Sequence, residues 1–252
     1  SSGITWDLGH VNGVLASTGG CIAAARSAWR YGIAGTLSSG LHHARRDRGS
    51  GYCTINGIAL AALTFLDVGA ERVLIVDLDA HCGGGTADIL DADPRITSID
   101  ISTSTFDGYD PPTRWSLDII SEPYDYLATV EERLAAVPAG SVDAVVFNAG
   151  MDPHELCAIG GLDGITDDVL FAREQMVFDF AAERSLPIAF ALAGGYSQIP
   201  MGTDRLTALH RLTIEAAAAS AQDRLERNDP RLSHPQPYRL IRADDAPVAL
   251  IH

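Results

Sequence analysis

Short apolar runs punctuate the chain at positions 73–76 (Val-Leu-Ile-Val), 96–99 (Ile-Thr-Ser-Ile), 144–147 (Ala-Val-Val-Phe) and 188–191 (Ile-Ala-Phe-Ala). Their near-continuous hydrophobicity predicts strands covered on both faces, the pattern of a parallel sheet. Between them the apolar period lengthens and predicts helices over 55–66, 126–136 and 167–184, with an alanine-rich one over 204–227. Gly19-Gly20 is read as the opening of an earlier helix through Ala28, and 32–38 as a further strand. Strands and helices thus alternate, which predicts a doubly wound α/β fold, a parallel sheet flanked by helices. Residues 102–121 read as an irregular Asp/Pro/Thr-bearing loop of the kind that borders sites. Residues 1–252 read as one domain, with 228–252 an irregular extension that wraps it or reaches a neighbouring subunit in a homo-oligomer.

Composition narrows the function classes. A formal charge of −15 argues against nucleic acid as a partner, because tracking phosphates needs clustered cations. No apolar stretch approaches membrane-spanning length, and the first seven residues lack the basic and apolar regions of a secretory signal, so the expectation is no membrane and a cytoplasmic address. All 18 basic residues are arginine, read as compositional bias, which excludes lysine chemistry. The four cysteines, Cys21, Cys53, Cys82 and Cys157, form no Cys-x-x-Cys pair and predict neither a disulfide framework nor a structural zinc ribbon.

The chemistry gathers where the strands end, the place where open parallel sheets bind ligands. The run at 73–76 leads into Asp77-Leu78-Asp79-Ala80-His81, the next into Asp100, the third into Gly150-Met151-Asp152 and the fourth into Gly194-Gly195-Tyr196; the strand over 32–38 is followed by His42-His43. If the strand continues through position 81, Asp77, Asp79 and His81 share one face. Carboxylates so close together repel one another in a buried setting, and a divalent cation resolves the conflict. Asp79, His81 and Asp152 then make a two-carboxylate, one-imidazole metal set with an open position. Cys82, pointing away from His81 on such a strand, is not counted as a ligand. His42 and His43 become candidates for proton transfer beside the metal, and the glycines before Tyr196 let its phenol reach the rim.

The ordered series Gly40-Leu41-His42-His43-Ala44, Ser50-Gly51-Tyr52-Cys53, Asp77-Leu78-Asp79-Ala80-His81, Ala149-Gly150-Met151-Asp152 and Gly194-Gly195-Tyr196 resembles that of the histone deacetylase family, including its bacterial acetoin-utilisation and acetylpolyamine amidohydrolase-like members. The resemblance implies an arginase–deacetylase fold and a zinc-dependent amide hydrolase. Zn2+ would be held by Asp79, His81 and Asp152, with His43 as general base and then acid. His42, linked to Asp77, would assist electrostatically, and Tyr196 would donate to the developing oxyanion. Gly51, Tyr52, Ile159 and Gly195 would line the substrate channel, with Phe106 a candidate second wall. Backbone carbonyls around Asp77, Asp79 and His81, with Asp100, would form a monovalent-cation site, usually for K+. The implied partner is an acylated amine such as acetyl-lysine, with a small-molecule amide, an acetylpolyamine or a secondary-metabolite amide, as the alternative.

Two departures accompany it. The resemblance runs roughly from Gly19 to Ala218, and the family's first strand and substrate loop are not recognised before it, either because they lie outside the sequence given or because the domain is compact with a more open site. Gly84 also stands where members carry the carboxylate that orients the second histidine, leaving His43 less basic, differently oriented or supported by another acid. These departures motivate a rival reading as a degenerate, non-catalytic metal-binding domain. A ureohydrolase is rejected, because Gly83 occupies the position where that motif needs a further aspartate.

Overall fold

The computed structural model describes residues 7–227. Six strands form one wholly parallel sheet: β1 (Ile33–Thr36), β2 (Val73–Asp77), β3 (Ile96–Ser102), β4 (Ser116–Ile119), β5 (Ala144–Gly150) and β6 (Ile188–Ala193), in the order β1-β6-β5-β2-β3-β4. The helices are α1 (Leu8–Tyr31), α2 (Gly57–Asp67), α3 (Gly84–Leu90), α4 (Pro123–Ala135), α5 (Asp167–Glu183) and α6 (Thr203–Glu226). Among the described residues no helix is long and apolar enough to cross a membrane. The extension expected over 228–252 lies outside the described residues.

The continuous apolar runs are explained by two cores. Strand side chains alternate, and both sides are covered. Leu74, Val76, Val145, Phe147, Ile188 and Phe190 pack with α4, α5 and α6 on one face. Val73, Ile75, Ala144, Val146, Ala189 and Ala191 pack with α1, α2 and α3 on the other.

Chain direction across the sheet reverses between its two central strands. From β2 the chain moves outward to β3 and β4, and from β5 it moves the other way to β6. The crevice beyond the carboxyl ends of β2 and β5 is therefore the switch point, where open α/β sheets bind ligands.

Two expectations are corrected, and one helix was not expected. Helix α1 starts at Leu8, capped by the Asp7 carboxylate, which accepts a hydrogen bond from His10 N at 2.7 Å, so Gly19 and Gly20 lie inside it rather than opening it. Gly20 is there because α1 crosses β1 closely: a Cβ would stand 2.5 Å from Thr36 Oγ1. Within the irregular 102–121 region, residues 116–119 form edge strand β4, whose partly exposed residues give no apolar run. The unexpected helix is α3, which has Gly83 as N-cap and begins with Gly84 and Gly85, where glycine is required by contact: a Cβ on Gly85 would stand 2.3–2.5 Å from the backbone of His42 and His43.

Candidate active site

Strand β2 ends at Asp77, so the expected continuous strand through His81 does not exist. Side-chain carboxylates turn the chain instead: Asp79 N donates to Asp77 Oδ1 (3.2 Å) and His81 N to Asp79 Oδ1 (3.0 Å). The bend still converges the expected residues. One ligand atom each from Asp79, His81 and Asp152 lies within 4.8 Å of the others, all three residues being buried. His81 Nδ1 is 3.1 Å from Asp79 Oδ1 and 3.0 Å from Asp152 Oδ2. Cys82 stays out of this set, its thiol directed to Ser104 O.

The electrostatics fit a cation. Burial and the charge of Asp79 push Asp152 up to about 7. Burial pulls His81 down, but its hydrogen bonds to Asp152 and Asp79 outweigh this and raise it to about 9. Burial raises Asp79, but the charge of His42 and the hydrogen bond to His81 outweigh it and hold that carboxyl low, so it keeps its charge beside Asp152; a divalent ion among the same three donors would relieve that repulsion. Glycine keeps the space clear: a Cβ on Gly194 would stand 2.3 Å from both Asp79 Oδ2 and Asp152 Oδ1.

His42 and His43 enter from the loop after β1. Asn56 fixes that loop while capping α2: its Oδ1 accepts from Ala59 N, and its Nδ2 donates to His42 O (3.0 Å) and Ala44 O (3.1 Å). Each histidine turns Nδ1 to a carboxylate, His42 to Asp77 Oδ2 at 2.8 Å and His43 to Asp107 Oδ2 at 2.9 Å. A carboxylate only accepts, so Nδ1 carries the proton and both Nε2 atoms, 3.2 Å apart, face inward. Burial lowers His42, but Asp77 and Asp79 outweigh it and leave it well above the ordinary range. Burial and the charge of His42 lower His43, so at neutral pH it is the unprotonated acceptor.

The remaining expected residues border this centre. Tyr196 sets its ring edge-on to His81 at 6.2 Å, and burial with the charges of Asp152 and Asp79 raises its phenol, which stays a donor. Gly51, at φ +50°, lies against the His43 imidazole so closely that a Cβ would stand 2.6 Å from Cδ2. Tyr52 is 70% exposed, Phe106 50% and Ile159 44%. Phe106 meets both His43 and His81 edge-on. Gly195, at φ +146°, packs beside Leu206 and carries the turn into Tyr196.

Asp100 is satisfied within the protein, accepting from Gly83 N (2.8 Å) and Ser102 Oγ (2.9 Å), so its contacts lend no support to potassium.

Three participants escaped sequence reasoning. Asp107 lies in the loop after β3, 64 positions from His43, with no spacing to mark it. Asn148 donates to Asp77 Oδ1 at 2.8 Å and holds the carboxylate that holds His42. Arg173, fully buried on α5, donates to Leu78 O (3.1 Å) and Gly150 O (2.8 Å), the backbone next to Asp79 and leading into Asp152. A signal for it existed: it falls on the buried stripe Leu170, Arg173, Val177, where a charge needs a partner.

The histone deacetylase domain model matches residues 7–212. The chain is 32% identical over 186 residues to histone deacetylase 2 of Arabidopsis thaliana, covering 71% of this chain and 48% of that protein. It is 28% identical over 189 residues to acetylpolyamine amidohydrolase 1 of Pseudomonas aeruginosa, covering 67% and 52%. The crystal structure of acetylpolyamine aminohydrolase from Burkholderia pseudomallei superposes with a TM-score of 0.65 at 23% identity, covering 81% of this chain and 62% of that one. The chain belongs to the histone deacetylase family and has its arginase–deacetylase fold. It spans about half the length of these two curated relatives.

Proposed function

We propose that this chain is a zinc-dependent hydrolase that removes an acyl group, most simply acetyl, from an amine. The observation that carries the proposal is the convergence of Asp79, His81 and Asp152 beneath two histidines, each backed by its own carboxylate. Zinc held by those three residues would supply Lewis acidity, making water acidic near neutral pH and polarising the amide carbonyl.

The chain's own groups do the rest. His43 Nε2 accepts the proton of the water that attacks the carbonyl carbon. Tyr196 donates to the oxygen as it takes up negative charge. When the C–N bond breaks, His43 returns its proton to the leaving nitrogen, and the products are a carboxylate and an amine. His42, kept cationic by Asp77, stabilises the negative charge without moving a proton.

The proposed channel runs over Gly51 and between Tyr52 and Phe106, with Ile159 at the rim and the Gly195 turn below. An apolar passage suits an alkyl chain, and the net charge of −15 favours cationic amines. These features accommodate both acetyl-lysine and acetylpolyamines. The potassium reading rests on the family resemblance alone.

The test is a panel of acetyl-lysine peptides and acetylated polyamines presented to the zinc-loaded protein, with Tyr196→Phe as comparison. We expect turnover of at least one class and a kcat loss of roughly a hundredfold or more in the variant, the scale of removing one oxyanion donor. Failure of every substrate, with zinc bound, would reject the proposal.

A further inference from the structure

The segment that enters α3 offers His43 no carboxylate, since Gly83, Gly84 and Gly85 occupy it. The space beside Gly84 is filled from elsewhere. A Cβ there would stand 2.3 Å from Asp107 O, 2.7 Å from its Oδ1 and 2.8 Å from its Cγ. Asp107 therefore lies against the glycine, and glycine at 84 is what admits it. Its side chain is only 5% exposed although it sits on a loop, and its φ of +62° is a left-handed conformation that aspartate tolerates better than most residues.

Both oxygens of this carboxylate are committed. Oδ2 accepts from His43 Nδ1 at 2.9 Å, and Oδ1 accepts from Arg45 Nη2. Arg45 also donates through Nη1 to Gly84 O at 2.9 Å, so one guanidinium ties the carboxylate to the turn beside it. The loop that leads to Asp107 is held independently. Cys82 N donates to Phe106 O (3.0 Å), and Thr103 N and Ser104 N donate to Ala80 O (3.0 and 2.8 Å). A buried carboxylate is costly unless its hydrogen bonds are made, and this one is matched by an imidazole and a guanidinium.

We propose that Asp107, clamped by Arg45 and supplied by the loop after β3, is the positioning residue that fixes the orientation of His43 in this chain. It touches no reacting atom and acts through His43, holding the proton on Nδ1 so that Nε2 remains the acceptor. Because Phe106 is its neighbour, the loop that forms one wall of the mouth also sets the aim of the base. This inference rests on the amide-hydrolase reading for its kinetic consequence, while its structural content stands apart from turnover.

The experiment therefore has two readouts on zinc-loaded protein of equal metal content. The first is the downfield NMR resonance of the His43 Nδ1–H, assigned by its absence in His43→Gln. It should be present in the wild type, lost in Asp107→Ala, and shifted upfield in Asp107→Asn, whose neutral acceptor binds less strongly; Asn also covers the case in which Ala fails to fold. The second is steady-state kinetics on an acetylated amine that the wild type turns over. We expect kcat to fall roughly ten- to a hundredfold with little change in KM, inside the range that acid–base catalysis contributes. A His43 resonance unmoved in the foldable variants overturns the inference, as does a moved resonance with kcat within about twofold of wild type. If the wild type turns over no substrate, the hydrolase reading fails, and the resonance alone decides the placement of Asp107.

Discussion

Gly194 carries no functional group, yet it is as constrained as any ligand. With both metal-set carboxylates 2.3 Å from where its Cβ would stand, a single methyl group must displace Asp79 or Asp152. Gly194→Ala is expected to lower zinc affinity roughly ten- to a hundredfold, the scale seen when groups supporting metal ligands are moved. Titration against a competing chelator measures it, and unchanged affinity would mean that the ligand positions have more latitude than the geometry indicates. At this scale the sequence was legible where residue type and strand-end position coincide, as for the cluster of Asp79, His81 and Asp152. It was not legible where a partner comes from a distant loop, as Asp107 does for His43, or where a side chain works through the backbone, as Arg173 does. Asp79 and His81 were also reached by a route the structure replaces, since Asp-mediated turns, not strand alternation, bring them together.

Helix α5 shows how an element supports the site from behind. Its buried stripe includes the adjacent Arg173 and Glu174, which pair through Nε to Oε1 at 2.9 Å. Arg173 reaches on to Tyr126 on α4 and to the carbonyls at the ends of β2 and β5. Replacing it leaves the Glu174 carboxylate buried without its partner. Arg173→Met should destabilise the fold by about 3–5 kcal/mol, whereas Arg173→Met with Glu174→Leu should recover most of the loss, because two well-packed apolar groups can replace a buried ion pair. Denaturant midpoints decide this; a double variant no better than the single would assign the loss to the carbonyl contacts instead. Element by element, central strands β2, β5 and β6 could be read from composition because apolar cores cover both faces. Edge strand β4 and short helix α3 could not, the one being half-exposed and the other beginning in two glycines packed against Asp107 and the His42–His43 backbone.

For the whole molecule, topology explains why these residues meet. The order β1-β6-β5-β2-β3-β4 puts the ends of β2 and β5 side by side where chain direction reverses, and the metal set straddles that seam. α/β alternation in the sequence was enough to expect a crevice of this kind, although the order of the strands was not readable from it. The net charge of −15 would attract the cationic amines proposed as substrates without selecting one of them. The central claim is that zinc at Asp79, His81 and Asp152 makes the chain an amide hydrolase. The most direct measurement is acetate release from an acetylated amine as zinc is titrated into metal-stripped protein. The account predicts no release without metal, a linear rise that saturates at about one zinc per chain, and none at any zinc level when Asp79→Ala removes a ligand. Release that is indifferent to stripping, or a chain that binds its zinc at these residues and releases no acetate, would contradict it.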